Sequence, residues 1–284
     1  MWGRACRLGH AVSVLTGLQR AIPSTLQKIF MRQPPNIVIA GIPTLRATRA
    51  ELATIMVADY RNTQQGHKTL PRIVISSNGS VIAAFHGDPS FRSLVMEADM
   101  IDADGMPLVM ASRIFCHNPL LERVATTDFI HNAADAAVSA NMRFYFLGGG
   151  TGIAERAAQK LVALHPGLDI VGCRDGFFKL KDEAAICADI VKRGTDVLWL
   201  GLGSPKQEAF AVRNRSALTG LTWIRTCGGL FDHVVGRTRR APQWMQSCGI
   251  EWLFRAAQEP RRLGPRYLRT NPVAAFHLFT KTHD

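Results

Sequence analysis

The chain has 284 residues, 47% of them hydrophobic, and a net charge of +12, enough to bury a large core without disulfide or metal staples. Its six cysteines (Cys6, Cys116, Cys173, Cys187, Cys227, Cys248) form no C-x-x-C pair, which argues against a zinc site or disulfide frame and for free thiols in a reducing compartment. No apolar run approaches about 18 residues, so no spanning helix is expected, and Ala11 to Leu18 is too short and polar-interrupted to read as a signal peptide.

In chain order, residues 1–34 read as a basic N-terminal extension, more a loosely ordered leader than an interfacial helix. Asn36 to Ile42 is a β-type run, and a helical pattern follows from about Leu45 to Arg61. Arg72 to Ser76 is a short buried strand ending in Ser77-Asn78-Gly79-Ser80. Helices are expected over Ser80–His86 and Pro89–Glu97, the second opening on Asp88-Pro89. Ala98 to Ala103 reads as a strand presenting Asp102 and Asp104 on one face. Gly105 then leads into a helix through about Phe115. Arg123 and Thr126-Thr127-Asp128 precede a helix to about Met142.

Arg143 to Gly152 gives strand, glycine-rich loop and helix. Asp169 to Cys173 is the next strand, followed by a helix from about Glu183 to Arg193. Asp196 to Leu202 is apolar and ends in a Gly-Leu-Gly turn. Ser204 and Pro205 then stand where an N-cap and first helical residue belong, with Lys206, Gln207 and Glu208 behind them. Leu221 to Thr226 makes a last strand, and the remainder reads as irregular, then helical over Pro242–Arg262 and from Pro265 onward. Between Gly236 and Asp284 there are nine basic residues against three acidic ones, so this tail calls for an anionic partner.

Strands alternating with helices of about 10–15 residues predict a Rossmann-like α/β fold, with a mostly parallel sheet, helices on both faces and a basic helical C-terminal appendage. The expected division is residues 1–34 as extension, 35–235 as catalytic domain and 236–284 as arginine-rich membrane- or substrate-facing appendage. Asn78, Asp104 and the turns at 148–152 and 201–203 fall at strand ends, where open α/β sheets bind ligands. Each has a bland reading beside the functional one. Ser204 and Gln207 fit an S-x-x-Q capping box. Asp104 fits a helix N-cap as well as a general base. The glycine loop at 148–152 lacks the full dinucleotide fingerprint.

The ordered set of motifs narrows this. It comprises Asn78; Ala103-Asp104-Gly105-Met106-Pro107; Phe146-Leu147-Gly148-Gly149; His165-Pro166-Gly167-Leu168; Asp175-Gly176-Phe177-Phe178; and Gly201 to Glu208. It continues with Arg240-Ala241-Pro242, Glu251-Trp252-Leu253-Phe254-Arg255 and Glu259-Pro260-Arg261-Arg262. In order and spacing it resembles the bacterial glycosyltransferase family 26, over roughly residues 35–270. That family includes N-acetylmannosaminyltransferases of wall teichoic acid, N-acetylmannosaminuronic acid transferases and exopolysaccharide hexosyltransferases.

The resemblance implies inverting transfer from a UDP-sugar to a polyprenyl-diphosphate-linked acceptor, at the inner face of the cytoplasmic membrane. It assigns Asp104 as general base. It implies substrate contacts from Ser76, Asn78, Arg123 and Gln207, and from Arg255, Arg262 and Arg266 of the tail; Gly148 and Gly149 are expected to contact a diphosphate as part of a glycine loop that precedes a helix. Ser76 stands where the family usually has Thr, Gly-Ser follows Asn78 instead of an apolar and a polar residue, and Gly264-Pro265 shifts the setting of Arg266. The expected partners are the donor, the lipid-linked acceptor and the membrane surface, not nucleic acid, and a homo-oligomer is left open. No cofactor and no metal site are expected, although Asp102-Ala103-Asp104 has the spelling of a metal-binding D-x-D. The alternatives are a nucleotide-dependent oxidoreductase, from the Phe146–Gly152 loop and Asp169, and a non-enzymatic nucleic-acid or membrane binder, from the charge.

Overall fold

A computed structural model describes residues 34–65 and 69–284; the basic N-terminal extension lies outside the described residues, apart from Pro34. Strands β1 (Asn36–Ile39) and β2 (Ile42–Leu45) form an antiparallel hairpin. The single strand expected over Asn36–Ile42 is thus broken in two. Ala40 and Gly41 turn with φ of 52° and 79°, the left-handed pair that a two-residue hairpin needs. The chain's end braces that turn: Ala40 N–H donates to Thr282 Oγ1 at 3.0 Å and Gly41 N–H to the Lys281 carbonyl at 2.7 Å.

Helix α1 (Arg49–Gln64) begins after Thr48, later than the expected Leu45, because Thr48 and Glu51 close a reciprocal capping box. The chain continues as β3 (Arg72–Ser77), α2 (Gly79–Gly87), α3 (Pro89–Met96), β4 (Met100–Ala103), α4 (Met106–Phe115) and α5 (Thr126–Ala140). Then come β5 (Arg143–Gly148), α6 (Ile153–Leu164), β6 (Asp169–Arg174), α7 (Glu183–Lys192), β7 (Val197–Gly201), α8 (Lys206–Asn214) and β8 (Trp223–Thr226).

Six of these strands make one parallel sheet in the order β4-β3-β8-β7-β5-β6. Alternate side chains leave opposite faces. Ile73, Ile75, Leu198 and Leu200 pack with apolar residues of α2, α3, α4, α7 and α8, whereas Val74, Phe144, Phe146, Val197 and Trp199 pack with those of α1, α5 and α6. This is the expected α/β sheet with a helical layer on each face.

The chain closes with α9 (Leu230–Val234), α10 (Gln243–Ser247), α11 (Glu251–Gln258) and α12 (Pro260–Thr280). Helix α12 runs through both Pro265 and Pro272, so the break falls earlier than the expected Pro265. Glu259, at φ −133° and ψ 63°, makes it, and Pro260 occupies the first helical position, where its missing N–H costs no bond. Helix α12 packs along α2: the His86 and His277 rings stack 3.5 Å apart, and Leu263, Ala274 and Leu278 are buried. No helix among the described residues is long and apolar enough to cross a membrane.

Candidate active site

The carboxyl ends of β3, β4, β7 and β8 open into a cleft of about 1430 Å³, which residues of α9 to α12 also line. Ser76, Asn78, Asp104, Arg123, Gln207, Arg255, Arg262 and Arg266 all line it. Gly148 and Gly149 do not; Gly150 does. Gly148 instead lets two strand ends meet. At φ 140°, a Cβ there would lie 2.3 Å from the Gly201 carbonyl oxygen, and Gly149 N–H donates to that same oxygen at 3.0 Å. Close backbone approach accounts for glycine at 148, and a φ of 71° for glycine at 149.

Asp104 follows β4 directly. Its Oδ1 accepts the backbone N–H of Thr126 at 3.1 Å. Thr126 is the first residue of α5, whose N-cap residue Ala125 has no side-chain cap. Asp104 is therefore a cap, but for the neighbouring helix α5 and not for α4, where Gly105 stands at the N-cap without a side-chain bond. Desolvation in the enclosed cleft pushes the Asp104 carboxyl up. The charge of Arg123, the Thr126 N–H and the charge of Arg225 pull it down, and Glu251 pushes it up again. A carboxylate so held can take a proton from a bound hydroxyl.

Asn78 caps α2 with its Oδ1, which accepts from Ser80 and Val81 N–H at 3.0 and 3.2 Å. Its amide nitrogen has no hydrogen-bond partner among the described residues. Arg123 donates through Nη1 to Glu251 Oε2 at 2.8 Å and through Nη2 to Gln246 Oε1 at 3.1 Å, which ties α10 and α11 to the entrance of α5. Arg240 pairs with Asp128 in the same network.

The capping box that Ser204 and Gln207 could have formed, the alternative to a substrate contact, is absent. Pro205 is the residue before α8, and α8 has no side-chain cap. Gln207 is drawn elsewhere: its Oε1 accepts Gly228 N–H at 3.1 Å, and its Nε2 donates to Glu208 Oε1 at 2.9 Å. The amide is thereby fixed at the cleft edge between β7 and β8, with one N–H still unused. Glu208 is fully buried, and burial pushes its carboxyl up, the Gln207 amide opposing.

The arginines of the tail are unevenly paired. Arg262 meets Glu259, and Arg266 Nε donates to Ser80 Oγ at 3.2 Å. Arg255 makes no salt bridge among the described residues, and its Nε is buried without a partner. An unmatched guanidinium inside a cleft marks a place for an anion.

The sequence reading missed Arg225 and Thr126 as members of the site. Arg225 is wholly buried at the end of β8 and forms an ion pair with Asp102, which is also buried. The signal was present: an arginine inside the apolar run Leu221–Thr226 has no solvent to face.

A strand-end carboxylate and a partly unpaired arginine set thus line one cleft. The Glycosyl transferase WecG/TagA/CpsF family profile matches residues 37–283. The chain belongs to this family. It is a glycosyltransferase, as the ordered motifs implied, and the oxidoreductase and non-enzymatic readings fall away. The N-acetylglucosaminyldiphosphoundecaprenol N-acetyl-beta-D-mannosaminyltransferase of Bacillus spizizenii is 26% identical over 189 residues, covering 66% of this chain and 72% of that protein.

Proposed function

We propose that this glycosyltransferase moves a hexose-type sugar from a UDP-sugar to a polyprenyl-diphosphate-linked saccharide, with inversion at the anomeric carbon. The observation that carries the reading is the placement of Asp104. It sits at the strand ends of a cleft that also presents Arg255, Arg262 and Arg266. About 1430 Å³ exceeds the roughly 300–1,000 Å³ of a single-ligand pocket, which suits a donor and an acceptor side by side. The relative from Bacillus spizizenii is named for a diphosphoundecaprenol-linked N-acetylglucosamine acceptor, and the same class of acceptor is proposed here.

In the reaction, an acceptor hydroxyl attacks the anomeric carbon from the face opposite the departing UDP. Asp104 takes the hydroxyl proton as the new C–O bond forms. The bond from the anomeric carbon to the diphosphate oxygen breaks, and its electron pair leaves with UDP. Arg255 and its neighbours neutralise that growing charge, each charge-assisted hydrogen bond contributing about 1.5–3 kcal/mol. The amide nitrogens of Asn78 and Gln207 supply donors for sugar hydroxyls.

Residues 236–284 act as the substrate- and membrane-facing segment in this reading. Leu253, Leu268, Phe276 and Phe279 are exposed on α11 and α12, the helices that also carry the arginines, a composition suited to the headgroup region of a cytoplasmic membrane face. The test is a panel of UDP-sugars with a polyprenyl-diphosphate-linked N-acetylglucosamine acceptor, the product's anomeric configuration being read by NMR. One donor giving a product of inverted configuration is expected. Retention of configuration, or no transfer from any UDP-sugar, would overturn the reading.

A further inference from the structure

Beneath Asp104 lies a polar cluster that the proposed chemistry leaves without a role. Arg225, from β8, is buried completely, and Asp102, from β4, almost completely. One guanidinium nitrogen of Arg225 pairs with Asp102 Oδ2, and Nη2 donates to Ser76 Oγ at 2.8 Å. Ser76, from β3, donates its single hydroxyl proton to Asp102 Oδ1 at 3.0 Å. The Thr126 hydroxyl lies 2.8 Å from Ser76 Oγ and must therefore be the donor in that contact. The Ser76 hydroxyl thus has its one proton and both lone pairs engaged within the protein, and keeps nothing for a sugar. Thr126, so fixed through its side chain, is the residue whose backbone N–H holds Asp104 Oδ1.

The sheet explains why these groups meet. Ser76 and Asp102 are register partners on neighbouring parallel strands, and Arg225 sits on the strand at the other side of β3, paired with Val74. Three adjacent strands deliver them to one edge, and the ring of Phe129, 5.3 Å from the Arg225 guanidinium carbon, covers them from α5. Arg225 is a permanent cation. Asp102 is the one carboxylate that pairs with it among the described residues, so Asp102 is its counter-ion. This commits Asp102 to Arg225 and separates it from Asp104, although the two spell D-x-D.

We infer that Arg225 and Asp102 are a buried positioning pair for Asp104. Arg225 balances the charge of Asp102, so that Asp104 is the strand-end carboxylate with no ion pair of its own among the described residues. Through Ser76 and Thr126 the pair also fixes the N–H that aims Asp104 into the cleft. This inference rests on the reading of Asp104 as general base. Other charged groups bear on Asp104 as well: Arg123 before α5, Arg240 after α9, and Glu251 on α11. All three stay in place when the pair is altered.

The pair makes a prediction that a merely structural cluster does not. Removing the anion of the pair leaves the Arg225 cation unbalanced near Asp104, and removing the cation leaves the Asp102 carboxylate unbalanced there. In Asp102→Asn the acidic limb of the kcat/KM–pH profile moves to lower pH. In Arg225→Met it moves to higher pH. Each shift is on the order of one pH unit, and the double variant Asp102→Asn/Arg225→Met returns toward the wild-type position. The assay uses the full chain with the UDP-sugar and lipid-linked acceptor that it turns over, and thermal melts confirm folding. Asp102→Asn preserves shape and hydrogen-bonding capacity, so it carries the test even if Arg225→Met does not fold.

Opposite shifts are the expected result. An unmoved limb in folded Asp102→Asn, or shifts of the same sign in both single variants, would overturn the pair's role. Asp104→Asn separates the two levels. If it stays active, or if the wild type has no acidic limb, the base reading fails and takes this inference with it. If Asp104→Asn is inactive while Asp102→Asn leaves the limb in place, only the positioning pair fails.

Discussion

At the strand ends of the cleft, Arg225 is buried against Asp102, Ser76 and Thr126, each of them hydrogen-bonded within the protein. On the helices beyond β8, Arg255 stands in the same cleft without a salt bridge among the described residues. Both are arginines of one site, yet their charges are handled differently. Nε is buried without a partner in both, but a buried cation with a carboxylate counter-ion contributes geometry, and breaking the pair leaves an uncompensated charge. A cation held near a cavity without a counter-ion contributes affinity for whatever anion arrives. The strand side is thus built before substrate binds, and the helical side is completed by it.

Variants can break or sharpen that contrast. The largest expected effect is on the helical side. Arg255→Ala with Arg262→Ala removes two charge-assisted contacts, at about 1.5–3 kcal/mol each. The loss in kcat/KM should then reach on the order of 10²–10⁴-fold, with little change in melting temperature, as steady-state kinetics beside thermal melts would show. Intact kcat/KM would mean that these arginines merely face solvent.

On the strand side a comparable disturbance should appear as lost stability. Gly148→Ala forces a Cβ to within 2.3 Å of the Gly201 carbonyl oxygen, at a φ of 140°. Strain and overpacking should cost roughly 2–4 kcal/mol, readable as a lower denaturation midpoint. A wild-type midpoint would show that β5 and β7 need no such approach.

The smallest effect is a pH dependence. Burial raises the Glu208 carboxyl in the folded state. A group raised in this way stabilises the fold below its unfolded pKa, and that contribution is lost as pH rises through the folded value. Glu208→Gln, whose Oε1 can still accept from Gln207, should therefore gain over the wild type as pH rises from about 5 to about 8. Melting curves across that range check the sign; a constant gap would mean that Glu208 does not titrate there.

The contrast also explains what could be read from sequence. Asp104 and Gln207 stood out because their motifs stand at the ends of strongly apolar strands, and the tail arginines because their motifs complete the family pattern. The α1 boundary was legible in principle, since Thr48 and Glu51 spell their own capping box. The hairpin was not, because Ala40 takes a left-handed φ that alanine rarely adopts, in a turn braced from the far end of the chain by Thr282. The box that Ser204 and Gln207 spell does not form because a local pattern competes with tertiary partners, and Gly228 and Glu208 won the Gln207 amide. Nothing near Ser76 in the sequence announces that Arg225, 149 residues away, donates to its hydroxyl. Side chains that serve the site by long-range pairing leave only a faint mark, such as an arginine inside an apolar strand.

The central claim is that Asp104 does the chemistry while other groups bind the charge. The most direct measurement is turnover by Asp104→Asn at saturating UDP-sugar and lipid-linked acceptor, with UDP affinity titrated on the same preparation. The account predicts a kcat lower by about 10²–10⁴-fold with UDP affinity close to that of the wild type. A kcat within a few-fold of the wild type in this folded variant would contradict it.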